Sequence, residues 1–142
     1  MQQALKQAYQ AAFSQAKNCY RQQAWSEAFG HLERAHVLGQ RDLIAHYATH
    51  WWMFKCGWRQ GSVKEVLGQL LRLLAVLPGF LSGWVPLGNT GGANVSAIKP
   101  MPLPDDIKAL LPSNPIRRDI AIRLLVLVVV VVVVVLMFLL LD

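Results

Sequence analysis

Cysteine is scarce in this chain: only Cys19 and Cys56 occur, with no CxxC pair. Two isolated thiols cannot build a disulfide framework, and they fit a reduced, intracellular helical protein. Acidic residues are also few, with 8 Asp and Glu against 14 Lys and Arg, for a formal net charge of +6. A helical di-iron site needs several inward carboxylates, and the third helical segment offers only Asp42 near its start. The N-terminus, MQQALKQAYQAAF, lacks an apolar core and a cleavage signal, so nothing in it points to export. No GxGxxG is present, and the loop Gly88-Asn89-Thr90-Gly91-Gly92 lacks the lysine of a phosphate-binding loop. The basic residues are scattered and match no nucleic-acid recognition motif, so nucleic acid is not an expected partner. A basic domain is instead suited to anionic lipid headgroups.

What the chain does have, at its end, is a long apolar run. Residues 124–141 carry no charge and include eight consecutive valines, Val128 to Val135. As a helix this run spans roughly 27 Å, close to the apolar thickness of a bilayer. Arg117, Arg118 and Arg123 flank its N-terminal side, and Asp142 follows it. The positive-inside rule then predicts a single-pass anchor with the preceding domain in the cytoplasm and the lipid bilayer as a partner.

The N-terminal half contains an internal repeat. A shift of 38 residues superposes Leu5 on Leu43, Tyr9 on Tyr47, Lys17 on Lys55, Arg21 on Arg59, Glu27 on Glu65, Gly30 on Gly68 and Arg34 on Arg72. Each unit reads as two helices. The first unit, 3–39, predicts helices over 3–21 and 25–38, closed by Gly39 as a left-handed cap. The second unit, 41–78, predicts helices over 41–57 and 62–77, with Ser62 and Glu65 as a capping box and Pro78-Gly79 as the stop. Gly30 and Gly68, each in mid-helix, suggest close approach of a neighbouring helix. The spacing Trp25, Ala28, Leu32, Ala35, repeated as Val63, Val66, Leu70, Leu73, resembles the second helix of tetratricopeptide repeats.

These patterns divide the chain into a helical-repeat domain (1–79), a Pro/Gly-rich connector packed on it (80–114), a basic juxtamembrane segment (115–123) and a transmembrane helix (124–141). The fold class is all-α, two tetratricopeptide-like hairpins followed by an irregular connector and a C-terminal membrane helix. The segments HLERAHVLGQRD, EVLGQLLRL, PLGNTGGANVSA and PMPLP resemble the bacterial family grouped as domain of unknown function 3703, over about residues 8–111. That resemblance implies a small helical domain and supplies no activity.

Chemistry concentrates in four histidines, His31, His36, His46 and His50. His46 and His50 stand one turn apart on one helix face and suit a shared transition-metal ion. Glu33 and His36 have the i, i+3 spacing of helical carboxylate–histidine sites. His31 and His36 lie about 140° apart around their helix, so only one of them can join His46 and His50. In the repeat, the histidines are replaced by Gln69, Leu74, Ala8 and Ala12, so the fold itself does not demand them. Trp52, Trp58, Asn89, Thr90 and Asn94 are candidates for a binding groove or connector surface.

Two functions follow. One is a membrane-anchored scaffold that binds a protein partner or a second copy of itself, without an enzymatic reaction being indicated. The alternative is a histidine-based metal-binding protein or metalloenzyme domain.

Overall fold

The computed structural model describes residues 1–111, 121, 124–132 and 136–137. Among these residues the structure is all-helical. Helices α1 (Gln3–Arg21), α2 (Trp25–Gly39), α3 (Leu43–Arg59) and α4 (Val63–Ser82) follow one another, each packing on the next. A long irregular connector then leads to the single turn α5 (Asp105–Lys108).

Short connections make neighbouring helices antiparallel. Gln23 turns the chain between α1 and α2 with a positive φ, and Gly61 does so between α3 and α4. Asp42 caps α3 by accepting from the Ala45 amide, and Ser62 caps α4 by accepting from the Glu65 amide. The capping box expected at Ser62 is not completed. The Glu65 carboxylate reaches the connector instead, where it accepts from the Ala93 amide.

The apolar faces form two clusters. Leu5, Tyr9, Ala12, Leu38 and Ala45 bring α1, α2 and α3 together near one end, and Ile107 of α5 plugs that cluster. Ala16, Ala28, Leu32, Met53 and Cys56 form the other, with Trp52 against it. The Arg34–Asp106 ion pair ties α5 to α2 from outside. Ile107 is 1% exposed, so Ile107→Ala is expected to cost about 2–4 kcal/mol and lower the thermal midpoint. Calorimetry checks this; an unchanged midpoint would show that α5 contributes nothing to the core. Both cysteines are free, and burial raises the Cys56 thiol pKa to about 11, which leaves it an inert core group.

Three expected boundaries differ. Gly39 does not form a left-handed cap: it is helical and buried, and a Cβ there would meet the Tyr9 ring at 2.9 Å and the Ala45 Cβ at 3.0 Å. Its smallness serves packing, not a turn. Helix α3 starts and ends two residues later than expected, at Leu43 and Arg59, because Asp42 is the cap. Helix α4 runs through Pro78 to Ser82 and ends at Gly83, whose φ is 68°. A proline's fixed φ is helical, and its cost is the bond its missing N–H leaves unmade together with the crowding of its ring against the carbonyl four residues back. Of the mid-helix glycines, Gly68 lies against Ala93 of the connector and not against a helix, whereas a Cβ at Gly30 would meet nothing within 4 Å.

Helix α4 is long and apolar enough by length and composition to cross a membrane. Its inner face nevertheless belongs to the domain, since it packs along α3 and holds the connector through Glu65, Gln69 and Arg72. The C-terminal apolar run is described in part: 124–132 and 136–137 are helical and exposed. Arg117, Arg118 and Arg123 lie outside the described residues.

Candidate metal centre

The α2–α3 hairpin places its histidines around one point. His36 stands three residues before the end of α2 and His46 three residues after the start of α3, so antiparallel pairing sets them side by side. His50 lies one turn further along α3, on the same face as His46. The result is a triangle of Nε2 atoms: His36 to His46 at 2.9 Å, His46 to His50 at 3.0 Å and His36 to His50 at 3.1 Å. His36 and His50 are buried, and His46 is partly so.

Hydrogen bonds on the far side of two rings decide where their protons sit. His36 Nδ1 lies 2.8 Å from the Asn89 carbonyl oxygen, which can only accept. His36 Nδ1 therefore donates. His50 Nδ1 lies 2.6 Å from Gln69 Oε1. The Gln69 amide cannot be turned round, because its nitrogen donates to Glu65 Oε1 at 2.6 Å and to the Gly91 carbonyl at 2.8 Å. His50 Nδ1 must donate as well. In the neutral state both rings then aim bare Nε2 lone pairs at one another.

Neutrality is enforced by burial. Desolvation lowers the His36 pKa well below its ordinary value, with the charges of His50 and His46 adding to the effect. Desolvation lowers His46 to about 4, and desolvation followed by His46 lowers His50 to about 3. In an unfolded chain these groups titrate near 6.5. Between those values the unfolded state binds the extra protons. The metal-free fold is therefore expected to lose stability as pH falls from about 6.5 towards 4, by up to about 1.4 kcal/mol per pH unit for each histidine. Above pH 7 this contribution is constant. Thermal unfolding of chelator-treated protein across this range measures the effect, and a midpoint independent of pH would contradict the buried, neutral triad.

A wider network fixes the triad from α4 and the connector. Asn89, 2% exposed, donates to the Ser96 and Lys99 carbonyls and accepts from the Gly91 amide, which folds the Gly88–Gly92 loop onto the site. Arg72 donates to the Gly92 and Val95 carbonyls. Gly91, with φ 82°, lies so close to His36 that a Cβ would stand 2.7 Å from the imidazole. Outer partners of this kind hold ligand rings in orientation and tune their basicity. Gln69→Leu, which removes the acceptor for His50, is expected to weaken metal binding about 10–100-fold with little change in helix content. Competition titration against a chelating dye reads this; unaltered affinity would mean that Gln69 has no orienting role.

Of the sequence candidates, the structure brings together His36, His46 and His50, with Asn89 directly behind His36. It does not bring His31 into the group. Glu33 is half-buried beside Thr90 and Gly92; burial raises its carboxyl pKa, a hydrogen bond from Thr90 opposes that, and Glu65 adds to it. Asn94 is exposed next to Gly92. Trp52 packs with Phe13 and Tyr20 under the Lys55 ammonium, 3.6 Å above its ring. Trp58 is 68% exposed near Phe54. These two tryptophans thus belong to other surfaces. Gln69, Glu65 and Arg72 were not expected at the site. For Gln69 a signal existed, since it stands in the repeat where His31 stands.

A small helical protein with a buried three-histidine cluster, oriented by a glycine-rich loop, is what the fold and site define. Residues 3–111 match the family described as protein of unknown function (DUF3703), and the chain belongs to it. No curated protein and no solved structure matches the chain.

Proposed function

We propose that this protein binds one first-row transition-metal ion through His36 Nε2, His46 Nε2 and His50 Nε2. The observation that carries this is the triangle of nitrogens 2.9–3.1 Å apart, two of them bare of protons and facing each other. Without a cation, His46 alone can supply a proton to the two facing lone pairs. With an ion at about 2.0–2.1 Å from each nitrogen, about 1.1 Å above their plane, every lone pair gains a partner. The nitrogen–metal–nitrogen angles would then be about 94°, so a tetrahedral ion needs the rings to spread by about 0.3 Å. Imidazole nitrogens suit Zn, Cu, Fe and Ni, and no thiolate or carboxylate among the described residues joins the group.

Metal analysis of the purified full-length protein tests this, together with titration of chelator-treated protein with Zn(II) and Co(II). One ion per chain is expected, with raised thermal stability. Absence of uptake for Zn, Co, Cu, Ni and Fe would leave the triad as a hydrogen-bonded cluster built around a His46 Nε2–H.

A second reading, a membrane-tethered scaffold with tetratricopeptide-like hairpins, rests on the outer face of α3 and α4. Ile44 is 80% exposed and Leu74 76%, and with Tyr47 and Leu77 they border an apolar groove. Exposed apolar patches of this kind mark partner or membrane contacts. In this reading the apolar C-terminal run anchors the domain in the bilayer, and the groove receives a protein partner or a second copy. Crosslinking the full chain in its membrane should then trap a stoichiometric partner or dimer. A monomer released by carbonate without detergent would defeat both parts.

A further inference from the structure

The three histidines leave one side of the metal position to a cavity. Its volume is about 80 Å³, and its walls include all three imidazoles. Since a water molecule's share of liquid volume is about 30 Å³, this space has room for a water or a ligand of a few atoms. No fourth histidine, cysteine or carboxylate joins the group among the described residues. Structural zinc sites close with four protein ligands, whereas a site with three keeps a position for an exchangeable one.

The character of the cavity selects the sign of that ligand. Val76, Phe80, Trp84, Val85 and Pro86 make most of its wall apolar, and Arg72 lines it as well. Arg72 gives its N–H groups to the Gly68, Gly92 and Val95 carbonyls; the Glu65 carboxylate, held by Gln69 and the Ala93 amide, offsets this one charge and leaves that of a bound divalent ion unbalanced. The positive charge of Arg72 is felt at both His36 and His50. A divalent ion held by three neutral imidazoles keeps its full charge. Burying that charge beside a guanidinium in apolar surroundings is unfavourable without a counter-charge.

Resting on the metal reading above, we propose that the cavity is a binding site for small anions, which displace a metal-bound water. The exchange breaks the bond from the metal to water oxygen and forms one from the metal to an anion lone pair. No electron changes hands. In the absence of such an anion the same charge balance favours ionisation of the bound water to hydroxide, as at three-histidine zinc centres, where bound water ionises near pH 7. A volume of about 80 Å³ suits monoatomic, linear or small planar anions.

The probe is azide added to the Co(II)-loaded full-length protein, followed by visible absorption. Azide is expected to shift the Co(II) ligand-field bands saturably, one per metal. Arg72→Met is expected to weaken azide binding on the order of tenfold, with Arg72→Lys restoring most of it. Val76→Phe, which fills the cavity, should remove the azide response while Co(II) remains bound. A Co(II) spectrum indifferent to excess azide overturns this inference and leaves the metal reading standing. Failure to take up any of Zn, Co, Cu, Ni and Fe overturns both.

Discussion

His50→Ala is expected to lower the affinity for Zn(II) or Co(II) by a factor of about 60 to 700. Zinc binding to four-ligand structural sites contributes about 10–16 kcal/mol, or about 2.5–4 kcal/mol for each ligand. Each 1.4 kcal/mol is a factor of ten. His50 also has the deepest support, through Gln69 to Glu65 and on to the Ala93 amide. Removing the imidazole breaks the triangle and leaves Gln69 Oε1 without its donor. A buried unpaired acceptor costs about 1–3 kcal/mol, so the metal-free variant should be less stable too. The decisive quantity is therefore the stabilisation on adding metal. A ligand at a thousand times its Kd raises stability by about 4 kcal/mol, and at the same metal concentration the variant should gain less than half of this, about 0.5–1.7 kcal/mol. His31→Ala supplies the control, because His31 lies outside the cluster. Equal metal stabilisation in wild type and His50→Ala would show that the triad does not hold the ion.

The contrast between His31 and His36 shows how far sequence reasoning reaches into this site. Helical spacing put His46 and His50 on one face and allowed one of His31 and His36 to join them. Choosing between these two requires the rotation of α2 about its own axis relative to α3. That rotation is set by packing at Ala28, Leu32 and Ala35, which spacing alone does not resolve. The loop was legible in part. Asn89 stood out as a polar residue among glycines, but its contact with His36 is made by a backbone carbonyl, which any residue type carries. Glu65 was misleading for a different reason. Ser62 and Glu65 satisfy a local capping pattern, yet the carboxylate finds a better partner in the connector, 28 residues away.

The helix ends follow the same division. Gly61 and Asp42 act through local backbone chemistry: Gly61 turns the chain with a positive φ, and Asp42 caps α3 within the stretch expected to be helical. Gly39 and Pro78 act through their surroundings. Gly39 admits the Tyr9 ring, and α4 continues past Pro78 to bring Phe80 to the cavity wall. Extending α4 by this turn is what lets Trp84 reach the metal side of the bundle. The mid-helix glycines make the point within one repeat: Gly68 meets the connector, while its counterpart Gly30 faces open space.

Gly91→Ala is expected to damage both the fold and the metal position, because it strains the loop and strikes His36 directly. Its φ of 82° is a conformation that L residues other than Asn and Asp seldom adopt, which costs about 1–2 kcal/mol. The added Cβ would stand 2.7–2.9 Å from three atoms of the His36 ring. Either the loop lifts or His36 turns. If the loop lifts, the Gly91 carbonyl leaves Gln69, and His50 loses its fixed amide partner. If His36 turns, its Nδ1 leaves the Asn89 carbonyl and its Nε2 leaves the triangle. Both routes reach the metal position, so the variant should lose about 2–4 kcal/mol of stability and at least tenfold in metal affinity. Gly61→Ala separates strain from site geometry. It carries a comparable φ of 67° with nothing within 4 Å, so it should cost the strain alone and leave metal affinity unchanged. If the two variants behave alike in metal titration, the Gly88–Gly92 loop does not position His36, and its glycines serve only to turn the chain.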